Sequence, residues 1–216
     1  MMTEKTVATF SIVAFDPKTQ ELGVAVQSKF LAVGSIVPWA KAGVGAIATQ
    51  ARGNPNYGPE GLSLLREGNS PEEVIELLLE NDEEKEHRQL GVIDACGNSA
   101  NFTGRYCQSW AGDIKGPNFT LQGNILVNED TLKQMAATYK NQKGPLAERL
   151  VSSLKAGQKA GGDSRGRQAA ALYIAKKNSS YGGYSDRYID LRVDDHKTPI
   201  EELARLLNLF YEKFKS

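Results

Sequence analysis

The sequence predicts an α+β sandwich in which mainly antiparallel sheets are flanked by helix layers. Three observations favour this fold. The chain opens with two apolar runs joined by a turn, its predicted strands come in blocks instead of alternating singly with helices, and two helix starts carry capping residues. No linker, repeat or shift in composition divides the chain, so residues 1–216 are predicted to form a single domain.

The first half of the chain is predicted to begin with strands and to end in helices. An opening hairpin joins residues 6–15 to residues 22–28 through turn-forming residues at 16–19. Further strands are predicted at 35–39 and 44–50, then a loop at 52–59 and a short helix through Leu62, Leu64 and Leu65. The next helix starts at Ser70, because a capping Ser, Pro71 in the first turn and Glu73 three residues after the cap agree.

The second half of the chain returns to strands before its helices. The predicted strands lie at 90–94, around 102, and at 119–127, 168–176 and 187–193. The predicted helices lie at 129–140 and 146–154, and a last helix follows the capping sequence at 198–201. This order of blocks differs from that of a doubly wound nucleotide-binding fold.

Composition excludes several classes of partner. The 216 residues include 26 basic and 26 acidic side chains, and no segment concentrates Lys and Arg, so nucleic acid is not an expected partner. No apolar run approaches the roughly 20 residues of a membrane span, and the N-terminus lacks the apolar core of a signal peptide. The two cysteines, Cys96 and Cys107, are too few for a disulfide framework and are expected to be inert thiols. We therefore expect a cytoplasmic protein without a membrane partner.

The sequence carries no motif for a metal or a cofactor, and we predict neither. Only two histidines are present. His87 lies in a charged stretch typical of solvent-exposed chain. His196 follows Asp194 and Asp195, a set that a metal can use, but adjacent residues of an extended chain point in different directions, so a structural or helix-capping role is favoured.

The glycine-rich segment 161–168 is the densest unusual stretch of the chain. It lacks the Lys-Ser/Thr ending of a phosphate-binding P-loop and precedes a predicted strand instead of a helix. Arg165 and Arg167 stand between glycines and can form a rigid fork for a substrate carboxylate, with Asp163 holding one of them in place. The alternative is a tight loop whose charges pair with one another or with solvent, and both interpretations stay open.

Polar residues inside two apolar strands indicate a cleft. Gln122 and Asn124 flank Gly123 in a predicted strand, where an unpaired buried amide costs on the order of 1–3 kcal/mol and a glycine lets a ligand approach. Thr9 and Ser11 share one face of the first strand by its period of two. A threonine hydroxyl can act as a nucleophile when its own α-amino group becomes free and serves as the base. A nearby lysine, Lys29 or Lys41, would help to keep that amine neutral and would lower the free-energy cost of the oxyanion. The alternative is that these hydroxyls serve only as hydrogen-bonding groups, as hydroxyls in strands usually do.

Six segments, at 9–14, 23–29, 43–46, 122–124, 161–168 and 192–196, together resemble a bacterial and archaeal family known as domain of unknown function 1028. The resemblance runs from about residue 8 to about residue 210. That family is similar to the N-terminal nucleophile (Ntn) hydrolases, whose fold is a four-layer αββα sandwich of two mainly antiparallel sheets flanked by helices. The implied architecture agrees with the block order predicted from the residues.

The resemblance implies roles for individual residues. The residue that opens the first strand, Thr9, would be the nucleophile, and Lys41 stands 32 positions later, the separation of the catalytic lysine in proteasome-type subunits. Asn124 would supply an oxyanion-hole amide. The sequence departs from the pattern in that eight residues precede Thr9, so a free amine requires a cut between Ala8 and Thr9.

Three functions follow as hypotheses. The first is an amide hydrolase with catalytic residues Thr9, Lys41 and Asn124, acting on a small polar amide or peptide-like molecule. Its substrate would be bound by polar side chains near these residues: Ser11, Lys29, Gln122, Asp163, Arg165 and Arg167. The second is a non-catalytic domain of the same fold that binds a small anion, and the third is a structural or oligomeric module. In each case we expect a homo-oligomer.

Overall fold

The computed structural model describes Val7 and residues 9–214 as a mixture of ten strands and five α-helices. The strands are β1 Thr9–Asp16, β2 Glu21–Ser28, β3 Pro38–Lys41, β4 Gly45–Ala51, β5 Arg88–Asp94, β6 Ser99–Thr103, β7 Gly112–Gly116, β8 Phe119–Gly123, β9 Ala169–Ala175 and β10 Arg187–Val193. The helices are α1 Tyr57–Arg66, α2 Pro71–Leu79, α3 Asp130–Asn141, α4 Leu146–Lys159 and α5 Pro199–Phe214.

The strands form two sheets, and within each sheet every pair of neighbouring strands is antiparallel. One sheet has six strands in the order β10-β9-β2-β1-β8-β7, and the other has four in the order β3-β4-β5-β6. The predicted α+β class and the opening hairpin are confirmed, since Thr9 faces Ser28 and Asp16 faces Glu21 across β1 and β2.

Three apolar clusters fill the interior. Phe10 and Ile12 lie in the cluster that joins the six-stranded sheet to α3, α4 and α5. Val13 and Ala48 lie in a second cluster, which joins the two sheets, and a third joins the four-stranded sheet to α1 and α2. The alternation predicted for β1 is confirmed, because Ser11 faces the other way from Phe10 and hydrogen-bonds Gln50 of the four-stranded sheet.

Local sequence signals explain the helix starts. The Ser70 hydroxyl accepts a hydrogen bond from Glu73 N at 3.3 Å, and the Glu73 carboxylate accepts one from Ser70 N at 2.7 Å, which is the predicted capping box. His196 Nδ1 accepts from Thr198 N at 3.1 Å immediately before α5, in agreement with a capping role. None of the helices in the described part of the chain combines the length and apolar character needed to cross a bilayer.

Several boundaries differ from the sequence prediction. A strand was predicted to begin at residue 35, but this residue ends a 3-10 turn, Val33–Ser35, and β3 starts at Pro38. The strand predicted over 119–127 ends at Gly123, since Ile125 has a φ of +53° and leaves the extended conformation. The short strand β7 was not predicted, because its sequence contains a single large apolar residue, Ile114.

Candidate functional site

Thr9 lies at one end of the six-stranded sheet, where three strands and a loop meet. Its register partner is Ser28 on β2, and Ser28 in turn faces Ala169 on β9. On the other side, Asn124 N donates to Thr9 O at 3.0 Å. The Thr9 side chain is fully buried, and its Oγ1 donates to Val7 O at 3.3 Å. The hydroxyl therefore packs against the backbone that precedes it.

Two non-glycine residues with left-handed backbones flank Thr9. Val7 exchanges backbone hydrogen bonds of 2.6 and 3.0 Å with Ala51, whose φ is +63°. On the other flank, Ile125 has a φ of +53° and follows Asn124 directly. Such conformations cost on the order of 1–3 kcal/mol each and are concentrated at functional sites, especially for a β-branched residue. Two of the six non-glycine residues with positive φ in the described chain thus lie at the Thr9 end of the sheets, which we take as the candidate site.

A cluster of polar side chains lies between the two sheets beside Thr9. Its five central members are fully buried: Ser11, Gln50, Gln89, Gln122 and Asn124. Ser11 Oγ donates to Gln50 Oε1 at 2.6 Å and accepts from Gln122 Nε2. Gln50 Nε2 donates to Gln89 Oε1 at 2.8 Å. The cluster thus connects β1 and β8 of one sheet to β4 and β5 of the other.

Gln89 is the hub of this cluster. Its Nε2 carries two hydrogens and shares them among three acceptors, Thr103 Oγ1, Gly112 O and Gly123 O, at 3.0, 3.2 and 2.8 Å. Its Oε1 also accepts from Asn124 Nδ2 at 2.9 Å. The Asn124 amide nitrogen therefore already has a partner, and its Oδ1 is the atom without one among the described residues. The oxyanion-hole donation predicted for Asn124 would require that nitrogen to leave Gln89.

The loop at 161–168 is anchored beside the same end of the sheet. The Asp163 side chain is buried and accepts hydrogen bonds from Lys29 N at 3.0 Å and from Arg165 N, Nε and Nη2 at 2.9, 3.2 and 3.0 Å. Lys29 Nζ lies 3.5 Å from Arg167 O. The Arg167 guanidinium is exposed and has no hydrogen bond or ion pair to another residue in the described chain. The loop therefore holds Arg165 and presents Arg167 to solvent.

Lys41 lies away from Thr9. It ends β3 and faces Gly45, whereas Val7, two residues before Thr9, faces Ala51 at the other end of β4. Six residues of extended strand separate these two positions, which corresponds to about 20 Å. Lys41 Nζ instead pairs with Asp186 Oδ1 at 3.1 Å. The structure thus brings together Thr9, Ser11, Gln122, Asn124, Lys29 and the 161–168 loop, but it does not bring Lys41 to them.

Sequence reasoning missed Gln50 and Gln89. Each lies at the end of an apolar strand, in Thr49-Gln50-Ala51 and Gln89-Leu90-Gly91, and each is fully buried. The rule that singled out Gln122 and Asn124, a polar amide within an apolar run, applies equally to these two residues. Which polar side chains meet across two sheets depends on the register between strands, and the sequence does not contain that register explicitly.

A small pocket of about 130 Å³ opens near Ala51, lined by Arg52, His87, Tyr106, Cys107 and Gln108. Burial raises the pKa of the Cys107 thiol to about 11, and its Sγ donates to Arg88 O at 3.3 Å. Both cysteines are free, and a thiol with so high a pKa stays protonated near neutrality. The described residues contain no group of three His, Cys, Asp or Glu side chains that could hold a metal ion.

The paired antiparallel sheets define an α+β protein, to which solved structures are similar in different degrees. The protein SPO2555 from Silicibacter pomeroyi is 30% identical, with a TM-score of 0.87 over 94% of this chain and 86% of that one. The Anbu (ancestral β-subunit) protein from Yersinia bercovieri is 12% identical, with a TM-score of 0.41 over 94% and 97% of the two chains. Anbu from Hyphomicrobium sp. strain MC1 is 11% identical, with a TM-score of 0.40 over 95% of each.

The chain belongs to the family of unknown function DUF1028, whose model matches residues 9–203. The matched region begins at Thr9 and includes every member of the polar cluster as well as the 161–168 loop. The family assignment predicted from the sequence is confirmed. No curated protein matches the chain.

Proposed function

We propose that this protein is an amide hydrolase of the Ntn type, in which Thr9 is the nucleophile after the chain is cut between Ala8 and Thr9. The proposal includes the finer architecture, a four-layer αββα sandwich formed by two sheets with helices on both outer faces. The three apolar clusters between successive layers support it.

One observation carries the proposal. The Thr9 hydroxyl begins β1, is fully buried, and donates to the carbonyl of Val7 at 3.3 Å. Because Val7 O accepts the hydroxyl proton, the lone pairs of Oγ1 are left to attack the carbonyl of the peptide bond directly before Thr9. Loss of the preceding residues would expose this hydroxyl beside a new α-amino group.

The chemistry then needs no histidine. The Thr9 amine, whose ordinary pKa is near 8, takes the proton of Oγ1 as the oxygen attacks the substrate carbonyl. The tetrahedral intermediate collapses, the amine of the substrate leaves with that proton, and an acyl ester remains on Thr9. Water activated by the same amine hydrolyses the ester and regenerates the hydroxyl. The polar lining of the site favours a small polar amide as substrate.

Intact-mass measurement of the purified protein tests the proposal. We expect a species lacking residues 1–8, retained in the Thr9→Ser variant and absent from the Thr9→Ala variant. Thr120→Ala is the matched control, because Thr120 is also a fully buried threonine but faces Val13 farther along β1. A parent chain that remains whole, or a Thr9→Ala chain that is cut like the parent, would contradict the proposal.

The second candidate is a non-catalytic domain of the same fold that binds a small anion. It is favoured by the guanidinium of Arg167, which is exposed and has no partner among the described residues, beside the anchored Asp163–Arg165 pair. A chain that is never cut but binds short carboxylates through Arg167 would support this candidate over the hydrolase.

A further inference from the structure

We infer that two backbone carbonyls, acting through Gln89, fix the orientation of the Asn124 side-chain amide, so that Asn124 presents an acceptor oxygen to an amine at Thr9. Asn124 is thereby a positioning residue for the α-amino group, and Gln89 acts through it. The part of this inference that concerns the amine rests on the proposed function. The part that concerns amide orientation does not.

The orientation begins at backbone carbonyl groups, which can accept hydrogen bonds but cannot donate them. Gly112 O and Gly123 O can only accept, and both face the same atom of the Gln89 side chain, at 3.2 and 2.8 Å. Thr103 donates its own hydroxyl proton to Asp113 Oδ2 at 2.6 Å, so it too accepts from Gln89. That atom must be Nε2, and Oε1 must therefore point the opposite way.

The orientation of the Gln89 amide in turn determines the orientation of two neighbouring side-chain amides. Because Gln89 Oε1 can only accept, Gln50 and Asn124 must each turn an NH₂ group towards it, at 2.8 and 2.9 Å. If either amide were rotated by 180°, its carbonyl oxygen would face Gln89 Oε1 in a buried site, and neither oxygen could donate. Along the first branch, Gln50 Oε1 accepts from Ser11, and the chain of bonds continues to Gln122.

The second branch ends at Thr9. Asn124 is fully buried, and with its nitrogen bound to Gln89 its Oδ1 has no partner among the described residues. In an extended strand the N–H and C=O of one residue point to the same side, and Thr9 O points to Asn124 N at 3.0 Å. The Thr9 nitrogen is thus directed to the same segment. An amine there would donate to Asn124 Oδ1, which leaves its lone pair for the Oγ1 proton.

A double-mutant cycle in urea unfolding, in the uncut Thr9→Ala background, tests the amide orientation. Asn124→Asp sets a carboxylate oxygen against Gln89 Oε1, and Gln89→Met removes the group that orients Asn124, so each change alone should destabilise the chain. The carboxylate has an oxygen on both sides and needs no orienting group, so the double variant should be more stable than the sum of the two losses predicts. Additive losses would overturn the inference.

The pH profile of amine-selective labelling at Thr9, followed by intact mass on chains already cut before Thr9, tests the contact with the amine. An acceptor oxygen favours the protonated amine, so we expect Asn124→Leu and Gln89→Met to shift the midpoint of labelling to lower pH, and the added Asn124→Asp change to shift it back in the Gln89→Met chain. A midpoint for Asn124→Leu equal to that of the parent would overturn the assignment. A parent that is never cut would remove the proposed function and the amine contact together, while the unfolding cycle would still decide the orientation.

Discussion

Gln122 and Gly91 fit against each other across the gap between the two sheets. A Cβ built on Gly91 would lie 2.1 Å from Gln122 Oε1, far inside van der Waals contact. Gln122 is fully buried on β8, and its Nε2 is held by Ser11 on the neighbouring strand β1. The amide cannot withdraw without giving up that hydrogen bond, so the missing side chain at Gly91 is what lets the polar cluster close.

We therefore predict that Gly91→Ala destabilises the protein by about 1–3 kcal/mol, through overpacking of the kind seen in filled cores. Urea unfolding at neutral pH measures the loss. The double variant Gly91→Ala/Gln122→Ala supplies the control, because removal of the amide should make the added methyl group nearly harmless. A Gly91→Ala chain as stable as the parent would contradict this packing.

The outline of the fold was accessible from the sequence for a local reason. The Ser70–Glu73 capping box and the turn between β1 and β2 are encoded within a few residues of one another, so their signals do not depend on the rest of the chain. The contact between Gly91 and Gln122 is different. It depends on how one sheet lies over the other, and Gly91 in isolation resembles any glycine in a strand.

The candidate site was predictable only in part for the same reason. Thr9, Gln122 and Asn124 stood out as polar groups in apolar strands, and the structure brings them together. The distance of 32 positions between Thr9 and Lys41 suggested a pair, yet Lys41 ends β3 and faces the far end of β4. Sequence separation specifies a contact only when the intervening elements have the same lengths and register as in the proteins compared.

Asp82 provides a prediction for pH dependence. The Arg88 guanidinium, at 2.7 and 3.2 Å, holds the pKa of the Asp82 carboxyl down at about 2, and the Tyr57 hydroxyl also donates to it, while burial opposes the shift. A carboxyl whose pKa is lowered by folding stabilises the folded state above its unfolded pKa of about 4, and that contribution is lost as pH falls towards 2. Arg88 also donates to Arg52 O, so the pair anchors the chain beside Ala51.

We expect Asp82→Asn to lower the free energy of unfolding by about 1–2 kcal/mol between pH 5 and 7, after allowance for solvent screening of a partly exposed pair. The difference from the parent should shrink as pH is lowered from 4 to 2, because the parent then loses the same charge. Urea unfolding across this range measures it. A difference that stays constant down to pH 2 would show that charge is not its cause.

Substitution of Lys41 is predicted to have little effect on stability or on cutting before Thr9. Its ion pair with Asp186 is partly exposed, with 48% of the Lys41 side chain and 15% of the Asp186 side chain accessible, and such pairs contribute roughly 0–1 kcal/mol. We expect Lys41→Met to change stability within that range and to leave the rate of cutting before Thr9 unaltered. Intact-mass time courses compare it with the parent, and a tenfold slower rate would return Lys41 to the site.

The two arginines of the 161–168 loop should respond differently to substitution. The Arg165 side chain donates to the buried Asp163 through Nε and Nη2, so Arg165→Gln leaves part of a buried charge uncompensated and should cost about 2 kcal/mol in urea unfolding. Arg167 is exposed and unpaired among the described residues, so Arg167→Gln should leave stability unchanged. Equal losses from both variants would contradict this division of roles.

Arg167 is also the residue expected to bind a carboxylate near Thr9. It precedes Ala169 by two residues, and β9 lies two strands from β1, a lateral distance of about 10 Å that an arginine side chain and a small ligand can span together. In the Thr9→Ala background we expect N-acetylglycine to bind at least tenfold more weakly to Arg167→Lys, because a point charge cannot reproduce the bidentate fork. Arg66→Lys, on helix α1 against the other sheet, is the matched control. NMR titration measures both affinities, and equal binding of N-acetylglycine and its uncharged carboxamide would exclude a carboxylate site at Arg167.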